Sequence, residues 1–200
     1  MDPRRLILAS RSPRRKKLLE EAGIPTVIAP ADIDELIDHP ESPQHLALEN
    51  AYRKALVLSA RYPESIVLAA DTIVVLDGEI FGKPETMETA HLMLARLAGQ
   101  THEVITGVCL SRLATATVVQ FEEVTRVRFR ELSRAEIEDY LRTIDPLDKA
   151  GGYSAQEDGR RLIERIEGSL TNVIGLPMER TLAAIQNHFP EITSNSPVHP

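Results

Sequence analysis

A chain of 200 residues, 42% of them hydrophobic and 26% charged, has the balance of a soluble globular protein large enough to bury a core without disulfide staples. Its single cysteine, Cys109, excludes an internal disulfide and suits a reducing, cytoplasmic setting, and it lies in an apolar run where a buried structural thiol is expected. The net charge of −7 weighs against general binding of nucleic acid, no apolar run reaches the roughly 20 residues that span a bilayer, and no N-terminal stretch reads as a signal peptide, so neither nucleic acid nor membrane is an expected partner.

The first predicted strand is the apolar run Leu6 to Ala9, which stops at Ser10. Ser12 then suits an N-cap, Pro13 a first helical turn, Leu18, Leu19 and Ala22 the apolar spacing of a helix, and Gly23 its end. Such a turn presents free backbone N–H groups at the positive end of a helix dipole, and Ser10, Ser12, Arg14 and Arg15 add hydroxyls and guanidiniums at the same place. That combination fits a multiply charged oxyanion such as phosphate. With Arg4, Arg5, Arg11, Lys16 and Lys17 the same residues also form a basic cluster, which fits a solvated helix face or a nucleic-acid patch. The pattern is not a Walker loop, since it lacks glycines and the Gly-Lys-Ser/Thr ending.

Thr26 to Ala29 reads as a second strand, followed by the acidic stretch Ala31 to Pro40 with Asp32, Asp34, Glu35 and Asp38. That stretch is either a solvated loop or the edge of a cation site. Ser42-Pro43 opens a long helix marked by Leu46, Ala47, Ala51, Ala55 and Leu58, with Pro63 beyond its end. Arg53 and Lys54 lie within it, where a lysine is ordinarily solvated. Asp71-Thr72 separates the apolar runs Ile66 to Ala70 and Ile73 to Leu76. A carboxylate there is either at a bulge or rim reached by water and metal, or buried and paired. Asp77-Gly78 predicts a hairpin turn with Glu79 to Phe81 returning, and Gly82-Lys83-Pro84 follows, with Lys83 restricted by its proline.

Thr86 to Ala98 reads as a helix with Met87, Ala90, Leu94 and Leu97 on one face and Gly99 as its stop. Two strands are expected at Val104 to Leu113 and Thr117 to Phe129, the second with a basic outer face formed by Arg126, Arg128 and Arg130. Ser133 and Glu136 form a capping box for a helix from Arg134 to Thr143. In Asp148 to Gly159 the pair Gly151-Gly152 permits unusual backbone angles, and Tyr153 and Gln156 beside it offer a ring to stack on a base and an amide to read its edge, or else a simple turn with a packing tyrosine. Arg161 to Glu167 alternates as a strand, Ser169 to Pro177 reads as a loop, Pro177 opens a last helix with Met178, Leu182 and Ile185, and the tail from Glu191 to Pro200 is expected to fray. This order predicts an α/β protein with a mixed sheet and its polar groups gathered at strand-to-helix turns. The six histidines show no metal-ligand spacing.

Taken together, LASRSPRR at Leu8 to Arg15, ADTIVV at Ala70 to Val75, GKP at Gly82 to Pro84, GQTHEVITGV at Gly99 to Val108, DKAGGYSAQ at Asp148 to Gln156 and GLP at Gly175 to Pro177 resemble, in order and over nearly the whole chain, the Maf proteins, a family of nucleoside triphosphate pyrophosphatases. The resemblance implies one domain over residues 1–190, related in fold to the inosine triphosphate pyrophosphatases: a mixed twisted sheet with flanking helices, in two lobes around a central cleft. It implies cleavage of a nucleoside triphosphate between its α and β phosphates, releasing a monophosphate and pyrophosphate, with dTTP and UTP preferred and a divalent metal, Mg²⁺ or Mn²⁺, required. By motif, Ser10, Arg14 and Arg15 would bind phosphate, Asp71 would accept a proton, and Glu35, Lys54 and Lys83 would complete the catalytic set. Asp71 and Glu35 would hold the metal, while Arg14, Thr72, Tyr153 and Gln156 would contact the substrate and its base. A homodimer is an expectation from the family alone.

The chain departs from the family pattern in two places. It reads GGYSAQEDG where the family usually has GAYGIQG, which changes the backbone at Gly152 and Ser154 and adds Glu157 beside the base reader. It also carries Asn50 where leucine is usual ahead of the helix lysine. A nucleotide-binding regulator of cell division without turnover would keep the arginines, but it would not need Asp71, Lys83 and Glu35 together.

Overall fold

Seven strands and six α-helices alternate along a chain that the computed structural model describes from residue 6 to residue 192, the side chain of Glu157 excepted. Arg4 and Arg5 of the basic cluster, and the expected tail beyond Ile192, lie outside the described residues. The elements are β1 (Leu6–Leu8), α1 (Pro13–Glu21), β2 (Thr26–Ile28), α2 (Pro43–Arg61), β3 (Ile66–Leu76), β4 (Glu79–Phe81) and α3 (Met87–Leu97), then β5 (Thr101–Arg112), β6 (Thr117–Phe129), α4 (Arg134–Leu141), β7 (Ile163–Glu167), α5 (Leu170–Ile174) and α6 (Met178–His188). The strands pair in the order β2-β1-β3-β5-β6-β7, with β4 on β3. Since β1 is parallel to both β2 and β3 while β4 and β7 are antiparallel to their partners, this is the mixed sheet with flanking helices that the element order predicts.

The chain divides into two compact units, one comprising residues 6–71, 106–122 and 175–192 of the described range, the other residues 72–105 and 123–174. In the first unit β1 is buried along its whole length, as its unbroken apolar sequence requires of a central parallel strand. Ser12 caps α1 by accepting a hydrogen bond from the Arg15 N–H, and Gly23 leaves the helix at φ +71°. Ser42 caps α2 in the same way through the N–H of His45. Ala51, Ala55 and Leu58 of α2 pack on Ile7, Val67, Ala69 and Cys109. Gly107 in β5 lets this helix lie backbone to backbone on the strand, because a Cβ there would stand 2.3 Å from the Ala47 carbonyl carbon. Burial pushes the Cys109 thiol up to about 12, which suits an inert structural group.

In the second unit Asp77 and Gly78 both take positive φ and close the β3–β4 hairpin. Phe81, Leu94, Leu97, Val127, Phe129, Tyr140 and Tyr153 share its core. Met87, expected on the apolar face of α3, opens the helix one residue past its Thr86 cap and is 47% exposed, so the buried stripe begins at Ala90. The loop expected from Ser169 to Pro177 contains the short helix α5, where Ser169 Oγ accepts from the Asn172 N–H and the buried Asn172 amide donates to Val104 O, Glu123 O and Thr125 Oγ1. Arg126, Arg128 and Arg130, the basic outer face of β6 and its end, each stand within ion-pair distance of a carboxylate, on Glu103, Glu164 and Glu136 respectively.

Candidate active site

The polar turn after β1 is organised by its own side chains. Ser10 Oγ accepts from the Ser12 N–H at 3.1 Å and from Arg15 Nη1 at 3.2 Å, while Arg15 Nε donates to the Gly175 carbonyl at 2.8 Å. The half-buried guanidinium is therefore aimed from two sides. Burial lowers its pKa, the nearby charge of Asp71 opposes this, Arg14 lowers it further and Glu35 raises it. An arginine stays charged under all of these influences. Arg14 is half-buried in the first turn of α1, next to Arg15. The expected polar turn with its hydroxyls and guanidiniums is present, but two of the N–H groups expected to be free, those of Ser12 and Arg15, are taken by the Ser10 and Ser12 hydroxyls.

Lys54 is not a solvated helix lysine. Its ammonium lies 2.7 Å from Asp71 Oδ1 and 2.8 Å from Glu35 Oε1, with the side chains of Lys54 and Asp71 only 8% and 11% exposed. Helical spacing places Leu46, Asn50 and Lys54 on one face of α2, and that face is buried, so the lysine has to find partners or lose its charge. At Asp71 β3 continues unbroken, with no bulge, and the carboxylate is buried and paired. In the acidic loop Asp32, Asp34 and Asp38 lie in solvent while Glu35 pairs with the Lys54 ammonium. Asn50, which sequence reasoning gave no role, donates to Asp71 Oδ2 at 3.2 Å and holds both backbone groups of Leu36. The signal that marked it was an amide at the apolar spacing of a helix.

The remaining expected residues belong to the second unit. Thr72 follows Asp71 in β3, and strand alternation turns its side chain to the opposite face. Lys83 is exposed in the Gly82-Lys83-Pro84 stretch, which is tied to the double-glycine turn by a bond from the Gly151 N–H to Gly82 O at 3.0 Å. Gly151 and Gly152 both take positive φ there.

Tyr153 corrects an expectation. Its ring is buried against Phe129 and His102, and its hydroxyl shares a 2.7 Å hydrogen bond with His102 Nε2, so it packs rather than offering a face to a base. Burial holds His102 down at about 4 and raises the tyrosine, so both are neutral near pH 7. Beyond Tyr153 the chain folds back on itself: the Ser154 N–H donates to the Tyr140 hydroxyl and the Gln156 N–H to Ser154 Oγ. Gly159 lies so near the Ser154 carbonyl that no Cβ fits. Gln156 is left half-buried on this stretch.

The site thus belongs to an α/β protein with an arginine-lined strand-to-helix turn and, in the same unit, a buried lysine bridging two carboxylates. The family described as Maf-like protein matches residues 5–188, and this chain belongs to that family. It is 48% identical over 192 residues to the dTTP/UTP pyrophosphatase of Symbiobacterium thermophilum, covering 96% of this chain and 98% of that protein. It is 45% identical to the dTTP/UTP pyrophosphatase of Anaeromyxobacter dehalogenans, over 91% of this chain and 93% of that one, and 41% identical to the dTTP/UTP pyrophosphatase of Clostridioides difficile, over 92% and 95%. Among solved structures it is similar to the Staphylococcus aureus Ham1 protein and to a HAM1 protein from Coxiella burnetii, at TM-scores of 0.44, identities of 14% and 16%, and coverage of 62% of this chain and 71% and 72% of theirs. Among the described residues no helix is long and apolar enough to cross a membrane.

Proposed function

We infer that this protein hydrolyses the α–β phosphate bond of dTTP and UTP, releasing the nucleoside monophosphate and pyrophosphate. The observation that carries the reading is the buried Lys54 ammonium between Asp71 and Glu35, within electrostatic range of the Arg15 turn. The names of the relatives supply the substrates.

The chemistry follows from what each group can do. The triphosphate brings several negative charges, which the Arg14 and Arg15 guanidiniums, the positive end of the α1 dipole and the exposed Lys83 ammonium offset. An ionised Asp71 accepts the proton of a water whose oxygen bonds to the α phosphorus as the bond from that phosphorus to the bridging oxygen breaks. Lys54 holds the Asp71 and Glu35 carboxylates together by its ion pairs to both.

Among the described residues no group of three or more His, Cys, Asp or Glu could hold a metal ion. Two carboxylates nevertheless fit a hard divalent cation, because Mg²⁺ commonly takes one or two protein carboxylates and fills its shell with water and substrate phosphate. Asp71 and Glu35 would hold such a cation, Mg²⁺ or Mn²⁺, which when bound supplies positive charge to the phosphate oxygens. Selectivity fits the Gln156 amide, which can accept from N3–H and donate to O4 of the pyrimidine edge that thymine and uracil share. A cytoplasmic setting belongs to the same reading, as the compartment of nucleoside triphosphates.

The test is hydrolysis of a panel of nucleoside triphosphates with Mg²⁺ or Mn²⁺, separating pyrophosphate from single phosphate release, beside Asp71→Asn. Pyrophosphate release led by dTTP and UTP, and a fall of about 10³-fold in the variant, is the expected outcome. No release of pyrophosphate from any nucleotide by the folded, metal-supplemented protein overturns it.

A further inference from the structure

We propose that Asn50 is a positioning residue of the active site: its single amide fixes the acidic loop, and with it Glu35, against Lys54 and Asp71. Asn50 is 1% exposed on α2, one helical turn before Lys54. Its Oδ1 accepts from the Leu36 N–H at 2.8 Å, and its Nδ2 donates to the Leu36 carbonyl at 2.9 Å. The side chain thereby pairs with one residue of the loop as a neighbouring strand would, satisfying both of that residue's backbone groups. The same Nδ2 donates to Asp71 Oδ2 at 3.2 Å, on the carboxylate whose Oδ1 takes the Lys54 ammonium.

These partners leave the amide one orientation. The Leu36 N–H can only donate, and so faces the oxygen; the Leu36 carbonyl and the Asp71 carboxylate can only accept, and so face the nitrogen. No other side chain of this size meets all three demands. Aspartate lacks the donors, leucine lacks everything polar, and serine is too short.

Position in the chain gives the amide its leverage. Glu35 lies in a stretch without regular secondary structure, next to the residue that Asn50 holds, and its carboxylate must stand 2.8 Å from the Lys54 ammonium. A stretch of that kind wanders unless its backbone is paired, and a displacement of about 1 Å in a catalytic group is enough to lower turnover some 100-fold. The same amide orients Asp71, the proposed proton acceptor. One side chain outside the reacting set thus ties two members of that set to a third.

The inference deepens the pyrophosphatase reading and rests on it for its kinetic arm, while its other arm is independent of activity. Asn50→Leu and Asn50→Asp are compared with the unaltered protein for pyrophosphate release from dTTP and for amide hydrogen exchange at Leu36. In Asn50→Leu the Leu36 amide is expected to exchange about tenfold faster. Its kcat for dTTP should fall about tenfold to a hundredfold with KM nearly unchanged, because the loop and Asp71 are displaced while the phosphate-binding turn is not.

Asn50→Asp keeps an acceptor for the Leu36 N–H and loses both donors, so it should retain the amide protection while kcat still falls. If Asn50→Leu does not fold, Asn50→Ser serves in its place, since serine cannot span the gap. Unchanged Leu36 exchange in Asn50→Leu, or in Asn50→Ser where that variant replaces it, overturns the proposal, as does a kcat loss that only follows the loss of folded protein. Should the unaltered protein release no pyrophosphate, the nucleotide reading fails, and Leu36 exchange still decides whether Asn50 holds the loop.

Discussion

The two units solve opposite problems in holding polar groups. In the first, charges are buried and answer one another: Lys54 faces Asp71 and Glu35, and Asn50 and Ser10 take up the hydrogen bonds left over. In the second, the bidentate contact of Arg96 with Glu79 lies at the surface, while buried polar groups pair as neutral partners, as in Tyr153 with His102 and Tyr140 with the Ser154 N–H. Buried charge needs a partner to exist at all, so a change in the first unit strikes chemistry and stability together. Neutral buried groups position a stretch of chain without carrying charge, and changes among them act on geometry and on the pH dependence of folding.

Removing the buried cation breaks this contrast most severely. Lys54→Met leaves Asp71 and Glu35 facing each other without compensation, and it should lower stability in urea melts by about 3 kcal/mol while reducing pyrophosphate release at least about 100-fold. In the second unit the larger effect comes from pH. Histidine in the unfolded chain binds a proton below about 6.5, whereas buried His102 does so only at about 4. Between those values the unfolded state holds more protons, so stability rises with pH and is lost as pH falls from 6.5 to 4, by about 3 kcal/mol across the window. His102→Phe should flatten that slope in melts taken across the same range. The smallest effect belongs to the surface pair: Arg96→Ser should leave dTTP turnover unchanged and shift the melt far less than Lys54→Met, although the Arg96–Glu79 distances of 2.6 and 2.7 Å match those of the buried pair.

Much of the fold was legible because its signals are local. Ser12-Pro13 and Ser42-Pro43 announce helices, Asp77-Gly78 a hairpin, and Ser133 with Glu136 a capping box, and each stands where its residues say. What escaped depends on what covers a residue. Asp71 between two apolar runs could be read as needing a partner, but periodicity names a helix face without saying what lies over it, so Lys54 read as solvated and Asn50 went without a role. The Tyr153 ring could equally stack or pack, and only the presence of Phe129 and His102 around it decides. Helix α5, at five residues, is too short for a periodic pattern to reveal.

A lesson for engineering follows from Gly107. Replacing a strand glycine with alanine is a standard way to stiffen an unfolded chain, and Gly107 is absent from the positive-φ glycines, so its backbone alone would nominate it. Here the added methyl would meet the carbonyl carbon and oxygen of Ala47 at 2.3 and 2.4 Å, and α2 would have to lift from the strand. That helix carries both Asn50 and Lys54, so a thermostabilising library built on glycine replacement would retire the catalyst at a position with no functional group. A mutational survey confined to charged residues would never find out why.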